Sequence, residues 1–245
     1  FDGKRVTRKS VTDLNGWWQF VLPFDLDGDG DLDLMAGNFG LNSRLKASSK
    51  EPVRLYVNDF DDNGSAEQIM TYYVRGEEIC FSSKTQLEKR MPSLKKKYLY
   101  AADFAKARVK DLFPVQKWKQ AQQLTATHFS NTIFINEGAG QFRAVPLPAR
   151  AQLTTYRSAA VMDANEDGKP DLLLFGNFYD FNVELGRQDA DRGLLLLNRG
   201  NGKFEAGNLP GISIDAQVRA IRPIKIQGKQ TWILARNEAS FRLIR

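Results

Sequence analysis

Residues 17–38 read WWQFVLPFDLDGDGDLDLMAGN, in which two apolar runs flank the acidic stretch 25–33. The same acidic spacing recurs at 59–67, DFDDNGSAE, and at 163–171, DANEDGKPD. Each copy has an oxygen-bearing side chain at positions 1, 3 and 5, a glycine at position 6 and a carboxylate at position 9. Calcium takes about six to eight oxygen ligands, which a short loop supplies when alternate side chains point inward around a tight bend. The pattern therefore predicts calcium loops.

The predicted ligands follow from the spacing. In the first loop they are the side chains of Asp25, Asp27, Asp29 and Asp33 and the carbonyl of Asp31. In the third loop they are the side chains of Asp163, Asn165, Asp167 and Asp171 and the carbonyl of Lys169. In the second loop they would be the side chains of Asp59, Asp61, Asn63 and Glu67 and the carbonyl of Ser65. We expect Ca²⁺ in the first and third loops and leave open whether the second holds metal.

Two other interpretations of the loops are weaker. Asp, Asn and Gly are common in ordinary turns, but two carboxylates 4 Å apart repel by about 4 kcal/mol at an effective dielectric of 20, which favours a bound cation. An EF-hand needs a bidentate Glu at position 12 and helices on both sides. Position 12 is Ala36, Met70 or Leu174, and short apolar runs follow the first and third loops. These loops should therefore lie between β-strands.

Internal repetition predicts an all-β fold. Residues 157–207 contain a strand, the acidic loop, a second strand, a polar connection and a hairpin, GLLLLNRGNGKFEAG. Four antiparallel strands per unit are typical of a propeller blade. We assign a similar unit to 17–76, with 53–58 and 67–76 as its third and fourth strands, and another to 77–147. A last unit, 217–245, has three strands, and residues 1–7 are a candidate for its fourth. The prediction is a β-propeller with about four visible blades.

A predicted helical insertion at about 84–122 interrupts the unit assigned to 77–147. Its apolar residues are spaced mostly by three to five, and Pro92 and Pro114 bracket it, so we expect two short helices. Residues 84–119 hold eleven Lys or Arg and three acids, a net charge of +8, which leaves −2 of the total +6 for the remainder. A basic segment with Tyr98, Tyr100, Phe104 and Trp118 could meet an acidic glycan, a lipid headgroup or nucleic acid. Without a nucleic-acid fold motif, we expect no specific nucleic-acid binding.

Length and composition set further bounds. The 245 residues, 42% hydrophobic, can form one domain spanning 1–245 or part of a larger one. The single cysteine, Cys80, excludes an internal disulfide framework. No stretch approaches 18 uncharged apolar residues, so we expect no transmembrane segment. The chain begins at Phe1 with no apolar leader, so we expect a processed or excised piece of a longer product that no longer carries its targeting signal.

The repeated motifs resemble the FG-GAP and VCBS repeat proteins, whose blades are those of the integrin α-subunit propeller. The resemblance rests on DxDxDGxxD between apolar strands, on Gly-Asn after the second strand in MAGNFGLN and LFGNFYDFN, and on LxLN before a glycine-rich hairpin. It covers about 17–76 and 130–207 and looks like Bacteroidetes-type secreted or surface members. The resemblance implies a calcium-stabilised propeller and a secreted, periplasmic or cell-surface location. A closed small propeller, part of a larger ring and a homo-oligomer completing a ring all remain open.

The sequence supports two hypotheses about function. The first is a binding module that recognises a protein or glycan through the longer connections on one propeller face. The second is a carbohydrate-active hydrolase or lyase, with candidate residues Glu184, Arg187, Asp189 and Asp191 in the polar connection ELGRQDADRG. An ion-paired surface loop is the favoured interpretation of that cluster. The single histidine, His128, has no serine or cysteine motif nearby, so a Ser-His-Asp mechanism has no support. We interpret Trp17, Trp18, Phe178 and Tyr179 as packing residues before sugar-stacking ones.

Overall fold

The computed structural model describes residues 10–207, 209 and 211–245, and they form a mostly β structure. In chain order the strands are β1 (Phe20–Phe24), β2 (Asp33–Gly37), β3 (Val53–Asn58), β4 (Glu67–Val74), β5 (Glu77–Cys80), β6 (Gln122–Ala126), β7 (Thr132–Asn136), β8 (Phe142–Pro146), β9 (Tyr156–Met162), β10 (Asp171–Gly176), β11 (Leu194–Asn198), β12 (Phe204–Gly207), β13 (Val218–Ile226), β14 (Lys229–Arg236) and β15 (Arg242–Ile244). The α-helices are α1 (Lys84–Arg90), α2 (Ser93–Lys97), α3 (Ala101–Lys106) and α4 (Val115–Gln120). Short 3₁₀ helices occupy Val109–Asp111 and Ala149–Gln152.

The chain divides into two compact units. The first unit takes the described part of Phe1–Arg44 together with Phe129–Arg245, and the second takes Leu45–His128. The first unit holds three antiparallel sheets, in the orders β1-β2-β7-β8, β9-β10-β11-β12 and β13-β14-β15. Each sheet thus has its first strand at one edge, and β9 lies against both β1 and β13.

Strand β10 contributes to two apolar clusters of the first unit, one on each of its faces. Its alternate residues Leu172 and Leu174 pack in the cluster with the first sheet, whereas Leu173 and Phe175 pack in the cluster with the third sheet. Successive side chains of a strand point to opposite faces, so a strand buried on both faces reads as a continuous apolar run. The run DLLLFG, buried at every position, has this property.

The second unit is built on the sheet β5-β4-β3-β6 with the four α-helices beside it. Ser83 caps the N-terminus of helix α1: its hydroxyl accepts the Gln86 backbone amide while the Gln86 side chain accepts the Ser83 backbone amide, a capping box. Phe60, Ile69, Leu87, Met91 and Phe113 belong to a separate apolar core of this unit.

The structure corrects the predicted assignment of strands to the repeated units. The strand pairs around the acidic loops, the two glycine-rich hairpins and the three-strand final unit are confirmed. The assignment of 53–58 and 67–76 as the third and fourth strands of the first blade is wrong, because β2 pairs with β7. Strand β7 is almost fully buried, which suits its central place between β2 and β8. Residues 77–147 consequently form no blade of their own.

The basic segment is helical, as predicted, but contains four short helices and a 3₁₀ turn where we expected two helices. Pro92 and Pro114 do not bracket the segment. They stand at the N-caps of α2 and α4, positions where a missing amide hydrogen costs nothing. The proposed closing strand at residues 1–7 lies outside the described residues. No helix in the described part of the chain combines the length and apolarity needed to span a bilayer.

Candidate metal centres

The first acidic loop joins β1 to β2 and is organised around Asp25. Its Oδ1 accepts the amide of Gly28 at 2.8 Å, and its Oδ2 accepts the amide of Gly30 at 3.1 Å. Both glycines have positive φ, +80° and +93°, which side-chain-bearing residues rarely adopt. Asp29 Oδ1 accepts the amide of Asp31 at 2.9 Å, which closes the bend.

Position 9 of this loop has a structural role that spacing alone does not show. Asp33 is buried, and its Oδ2 accepts the amide of Leu26 at 2.8 Å while its Oδ1 accepts the amide of Asn136 at 2.7 Å. The carboxylate therefore holds the start of the loop against the end of β7. A carboxylate oxygen has more than one lone pair, so these bonds leave acceptor capacity for a metal.

The side chains of the first loop concentrate negative charge. One carboxylate oxygen from each of Asp25, Asp27 and Asp29 lies within 4.8 Å of the others. Asp31 Oδ1 is hidden from solvent and has no hydrogen-bond partner in the described chain. Burial, and then repulsion from Asp29 and the neighbouring aspartates, raises the pKa of Asp31. Carboxylate oxygens grouped in this way could hold a metal ion.

The third loop, between β9 and β10, repeats this frame. Asp163 accepts the amides of Asp167 at 3.1 Å and Gly168 at 2.9 Å. Asp171 accepts the amides of Ala164 at 2.9 Å and Asn198 at 2.8 Å, as Asp33 does with Leu26 and Asn136. At position 3, the Asn165 amide donates to Asp167 Oδ2 at 3.0 Å, and hydrogen bonds from Lys169 and Asn165 lower the pKa of Asp167. Among the predicted ligand side chains of this loop, the structure brings Asn165 and Asp167 into contact. The close grouping of three carboxylates seen in the first loop is not found among the described residues of the third.

The second loop is the hairpin between β3 and β4, as predicted, and has the same backbone contacts. Asp59 accepts the amides of Asn63 at 3.1 Å and Gly64 at 2.9 Å, and Glu67 Oε2 accepts the amide of Phe60 at 2.8 Å. Oxygens of Asp59, Asp61 and Glu67 lie within 4.8 Å of one another. Asp61 Oδ1 is hidden from solvent with no partner among the described residues. The carboxylate set therefore fits a cation here too.

A positively charged side chain, Lys117, lies beside the second loop. The ammonium of Lys117 pairs with Asp62 and donates to the Asp59 carbonyl at 2.7 Å. The hydrogen bond to Asp62, with attraction from Asp59 and Asp61, raises the pKa of Lys117. No counterpart of Lys117 was predicted from the sequence, because α4 and the loop are brought together by the fold of the second unit.

The first and third loops face one cleft of the first unit. The cleft has a volume of about 570 Å³ and is lined by Asp25, Asp27, Asp163, Lys169 and Asn201, among others. Asn198 Nδ2 also donates to the Leu26 carbonyl at 3.1 Å, which ties the end of β11 to the first loop. Asn136 and Asn198 are supporting residues that sequence reasoning missed, although both end an apolar run before a glycine-rich turn.

The four candidate residues of the polar connection after β10 lie in different environments. Asp191 is buried, and its oxygens accept the amides of Gly176 at 3.0 Å and Gly193 at 3.1 Å. Burial raises the pKa of Asp191 to about 6. Arg187 and Asp189 form an exposed ion pair at 3.6 Å, and the Arg187 guanidinium lies 3.5 Å from the centre of the Tyr179 ring. Glu184 is half-buried.

The aromatic and nucleophilic candidates are also placed. Trp17 lies 4.9 Å from Phe39 and 4.8 Å from Phe129 between ring centres, and Trp18 lies 5.6 Å from Phe134, as the packing interpretation predicts. Burial raises the pKa of the Cys80 thiol to about 11, so little thiolate exists near neutral pH.

The basic segment is partly neutralised inside the second unit. Lys84 pairs with Glu88 on α1, and the Lys97 ammonium donates to the carbonyls of Asp111 and Leu112. Trp118 packs edge-on against Tyr56, with ring centres 5.0 Å apart. A cavity of about 530 Å³ in this unit is lined by both rings and by Arg108 and Lys110.

Comparison with protein-family models gave no match, and comparison with curated proteins gave none either. The likeness to FG-GAP and VCBS repeats therefore stays a prediction from the motifs. The structure shows in addition that the three acidic loops share one pattern of hydrogen bonds, which the sequence motifs alone do not show.

Proposed function

We propose that the chain is a calcium-stabilised β-propeller repeat module of the FG-GAP and VCBS type, which binds a protein or glycan outside the cytoplasm. The observation that carries the proposal is the frame common to the three acidic loops. In each loop, position 1 accepts the amide of position 6, and position 9 accepts the amide of position 2. The frame is built three times, and it surrounds clustered carboxylate oxygens in the first and second loops, an arrangement suited to a hard cation.

The propeller part of the proposal is supported by topology. Two sheets of the first unit are four-stranded and one is three-stranded, and each begins at an edge strand. Strand β9 touches β1 and β13, as the inner strands of consecutive blades do. The first and third loops would then join the first and second strands of successive blades. The second unit is inserted between β2 and β7 of the first blade.

Calcium supplies charge neutralisation and rigidity in this proposal, and the protein supplies the recognition surface. The side chains at positions 1, 3 and 5 would hold the ion, and the buried carboxylates Asp33 and Asp171 would connect it to the third strand of each blade. Extracellular calcium modules bind with dissociation constants of about 10⁻⁴ to 10⁻³ M. Sites of that strength fill outside the cell and stay largely empty in the cytosol.

The test is a calcium titration followed at individual loops. The amides of Gly30, Gly64 and Gly168 donate to the position 1 carboxylates and give one NMR reporter for each loop. We expect Gly30 and Gly168 to shift together with a rise in melting temperature, and excess chelator to reverse both effects. Saturation at 10 mM calcium would stabilise the fold by about 1.4–2.7 kcal/mol per site.

Asp27→Ala gives the sharpest variant, because Asp27 is exposed and accepts none of the hydrogen bonds that organise the loop. It should remove the calcium response at Gly30 and leave the response at Gly168. Asp103→Ala, a change at an exposed acid of α3, is the matched control and should change neither. Unchanged melting temperature and resonances up to 10 mM calcium would refute the metal proposal.

The enzyme alternative would depend on Glu184 and Asp189, since acid–base work by Asp191 would require breaking its contacts with Gly176 and Gly193. A screen of polysaccharides for turnover separates the two classes. Product formation that is abolished by Glu184→Gln would replace the binding-module proposal with the enzyme.

A further inference from the structure

A second cleft of the first unit lies along the edge strands of the three sheets. It has a volume of about 620 Å³ and is lined by 19–22 around β1, 157–161 of β9 and 219–223 of β13. The charged residues that line it are Arg157, Arg219 and Arg222, and no carboxylate among the described residues lines it. Small-molecule sites typically have volumes of about 300 to 1,000 Å³.

Arg157 is the most informative residue of this cleft. It is half-buried, and its guanidinium makes no hydrogen bond or ion pair with any residue in 10–207, 209 or 211–245. Its Cζ lies 5.1 Å from the centre of the Phe178 ring, and the Cζ of Arg219 lies 5.5 Å from the same centre. Two guanidinium groups thus converge on one ring.

The neighbouring groups do little to offset this charge. Arg219 Nη2 lies 3.8 Å from Asp180 and 3.5 Å from Gln217 Oε1, both at the limit of a polar contact, and the Asp180 side chain is 62% exposed. Arg222 donates to the Ile221 carbonyl at 2.8 Å, which carries no full charge. Burial, and then repulsion from Arg219, lowers the pKa of Arg157.

Proteins rarely remove an unpaired charge from water, because the lost hydration is not repaid. Guanidinium groups, however, match oxyanions through parallel N–H donors and are less strongly hydrated than ammonium groups. A pair of them at the start of β9 and of β13, in a cleft with no lining carboxylate, is therefore suited to a negatively charged ligand.

We propose that this cleft binds a small organic anion, with its carboxylate, sulfate or phosphate oxyanion held by Arg157 and Arg219. The body of the ligand then lies along the apolar lining, where Val21 is 56% exposed and Pro223 and Val161 also contribute. Arg222 adds positive charge at the same wall. The site does not depend on calcium, because neither arginine belongs to an acidic loop.

A matched set of sugars tests the oxyanion requirement. Glucuronate, glucose 6-sulfate and glucose 6-phosphate present the three oxyanions on one body, and glucose lacks any. We expect calorimetry to detect binding of at least one anionic sugar and none of glucose, with affinity that falls as salt rises. The identity of the sugar that binds then distinguishes carboxylate, sulfate and phosphate sources. Equal binding of glucose, or no binding of any of the three anions, would overturn the proposal.

The variants address the arginines themselves. Arg157→Gln and Arg219→Gln should each weaken binding of the anionic sugar at least tenfold. Arg143→Gln, at an exposed arginine paired with Glu137, should leave binding unchanged. Wild-type affinity in both cleft variants would contradict the assignment.

Stability without ligand gives a second readout. Because the Arg157 guanidinium makes no hydrogen bond or ion pair with the described residues, Arg157→Gln should melt at or above the wild-type temperature. It should also lose the stabilisation that the sugar gives to the wild type. A purely structural arginine would do the opposite, so a lower melting temperature with unchanged sugar binding would overturn the proposal. Repeating the titration in chelator and in calcium separates this site from the proposed metal loops, since anion binding should persist in both.

Discussion

Asp33 Oδ1 accepts the backbone amide of Asn136 at 2.7 Å, across 103 residues of sequence. The third loop repeats the relationship, since Asp171 Oδ1 accepts the amide of Asn198 at 2.8 Å. In both sheets the last carboxylate of the acidic loop therefore fixes the end of the third strand. The loop is tied into the sheet by its own side chain, independently of any ion.

Removal of this carboxylate should destabilise the protein even without calcium. Asp33→Ala leaves the buried amide of Leu26 and the half-buried amide of Asn136 without their charged acceptor. Hydrogen bonds to charged groups contribute about 1.5–3 kcal/mol each. We expect the free energy of unfolding in chelator, measured with urea, to fall by about 3 kcal/mol. In the same buffer, Asp27→Ala should lower the free energy of unfolding by less than about 0.5 kcal/mol. Equal losses in the two variants would contradict the separate roles.

Lys117 should weaken calcium binding by the second loop. Its ammonium pairs with Asp62 and donates to the Asp59 carbonyl, so a divalent ion entering the loop meets a positive charge. Lys117→Gln should raise the affinity of this loop roughly three- to tenfold, as expected for one charge several ångströms from a divalent ion under aqueous screening. The Gly64 amide resonance reports the titration, and Lys119→Gln, at an exposed lysine two positions on, is the control. An unchanged or lower affinity in Lys117→Gln would show that the pair with Asp62 instead prepares the loop.

Local pattern predicted the strands that flank each acidic loop, because apolar runs and glycine-rich turns are properties of neighbouring residues. It failed at the partner of β2. The order of apolar runs, compared with that in 157–207, predicts 53–58 as the third strand, whereas the true partner, Thr132–Asn136, follows an inserted unit. A signal was present, since NTIFIN and GLLLLN both place an apolar run and a final Asn before a glycine-rich turn.

In the candidate sites, too, local sequence pattern predicted some contacts and missed others. The spacing of the acids predicted which side chains gather in the first and second loops. It did not predict the contact of Lys117 with the second loop, or the convergence of Arg157 and Arg219 on Phe178. Those contacts join residues far apart in the chain, and only the packing of sheets and helices decides them.

Close packing at the end of β10 should make Gly176 intolerant of any side chain. A Cβ at this position would lie 2.2 Å from the Thr155 carbonyl oxygen and 2.8 Å from Tyr156 Cα, so the backbone of β9 would have to move. Gly176→Ala should lower the free energy of unfolding by about 2–3 kcal/mol. Gly207→Ala, whose Cβ would meet the flexible Leu195 side chain at 3.3 Å, should cost less than about 1 kcal/mol. Urea unfolding measures the free energy of unfolding of both variants. Similar losses of stability in the two would argue against a backbone clash at Gly176.

Asp191 should make the protein less stable as the pH rises through the weakly acidic range. Burial raises its pKa from 3.8 to about 6, and the titratable groups that face it are the Tyr156 hydroxyl and Arg150. Between these two pKa values the folded state binds more protons than the unfolded state, so this group's contribution falls from pH 4 to pH 6 and is constant above pH 7. A shift of about two pKa units corresponds to about 3 kcal/mol.

Asp191→Asn removes that titration and isolates it from the other acids. The amide also loses an acceptor for Gly176 or Gly193, so the variant should be less stable than the wild type at pH 4. The difference between the two proteins, measured by urea unfolding in chelator, should shrink by up to about 3 kcal/mol between pH 4 and pH 7. A difference that stays constant would mean that Asp191 titrates alike in the folded and unfolded states. One that grows with pH would mean that its carboxylate is stabilised by Gly176, Gly193 and Arg150 more than burial disfavours it.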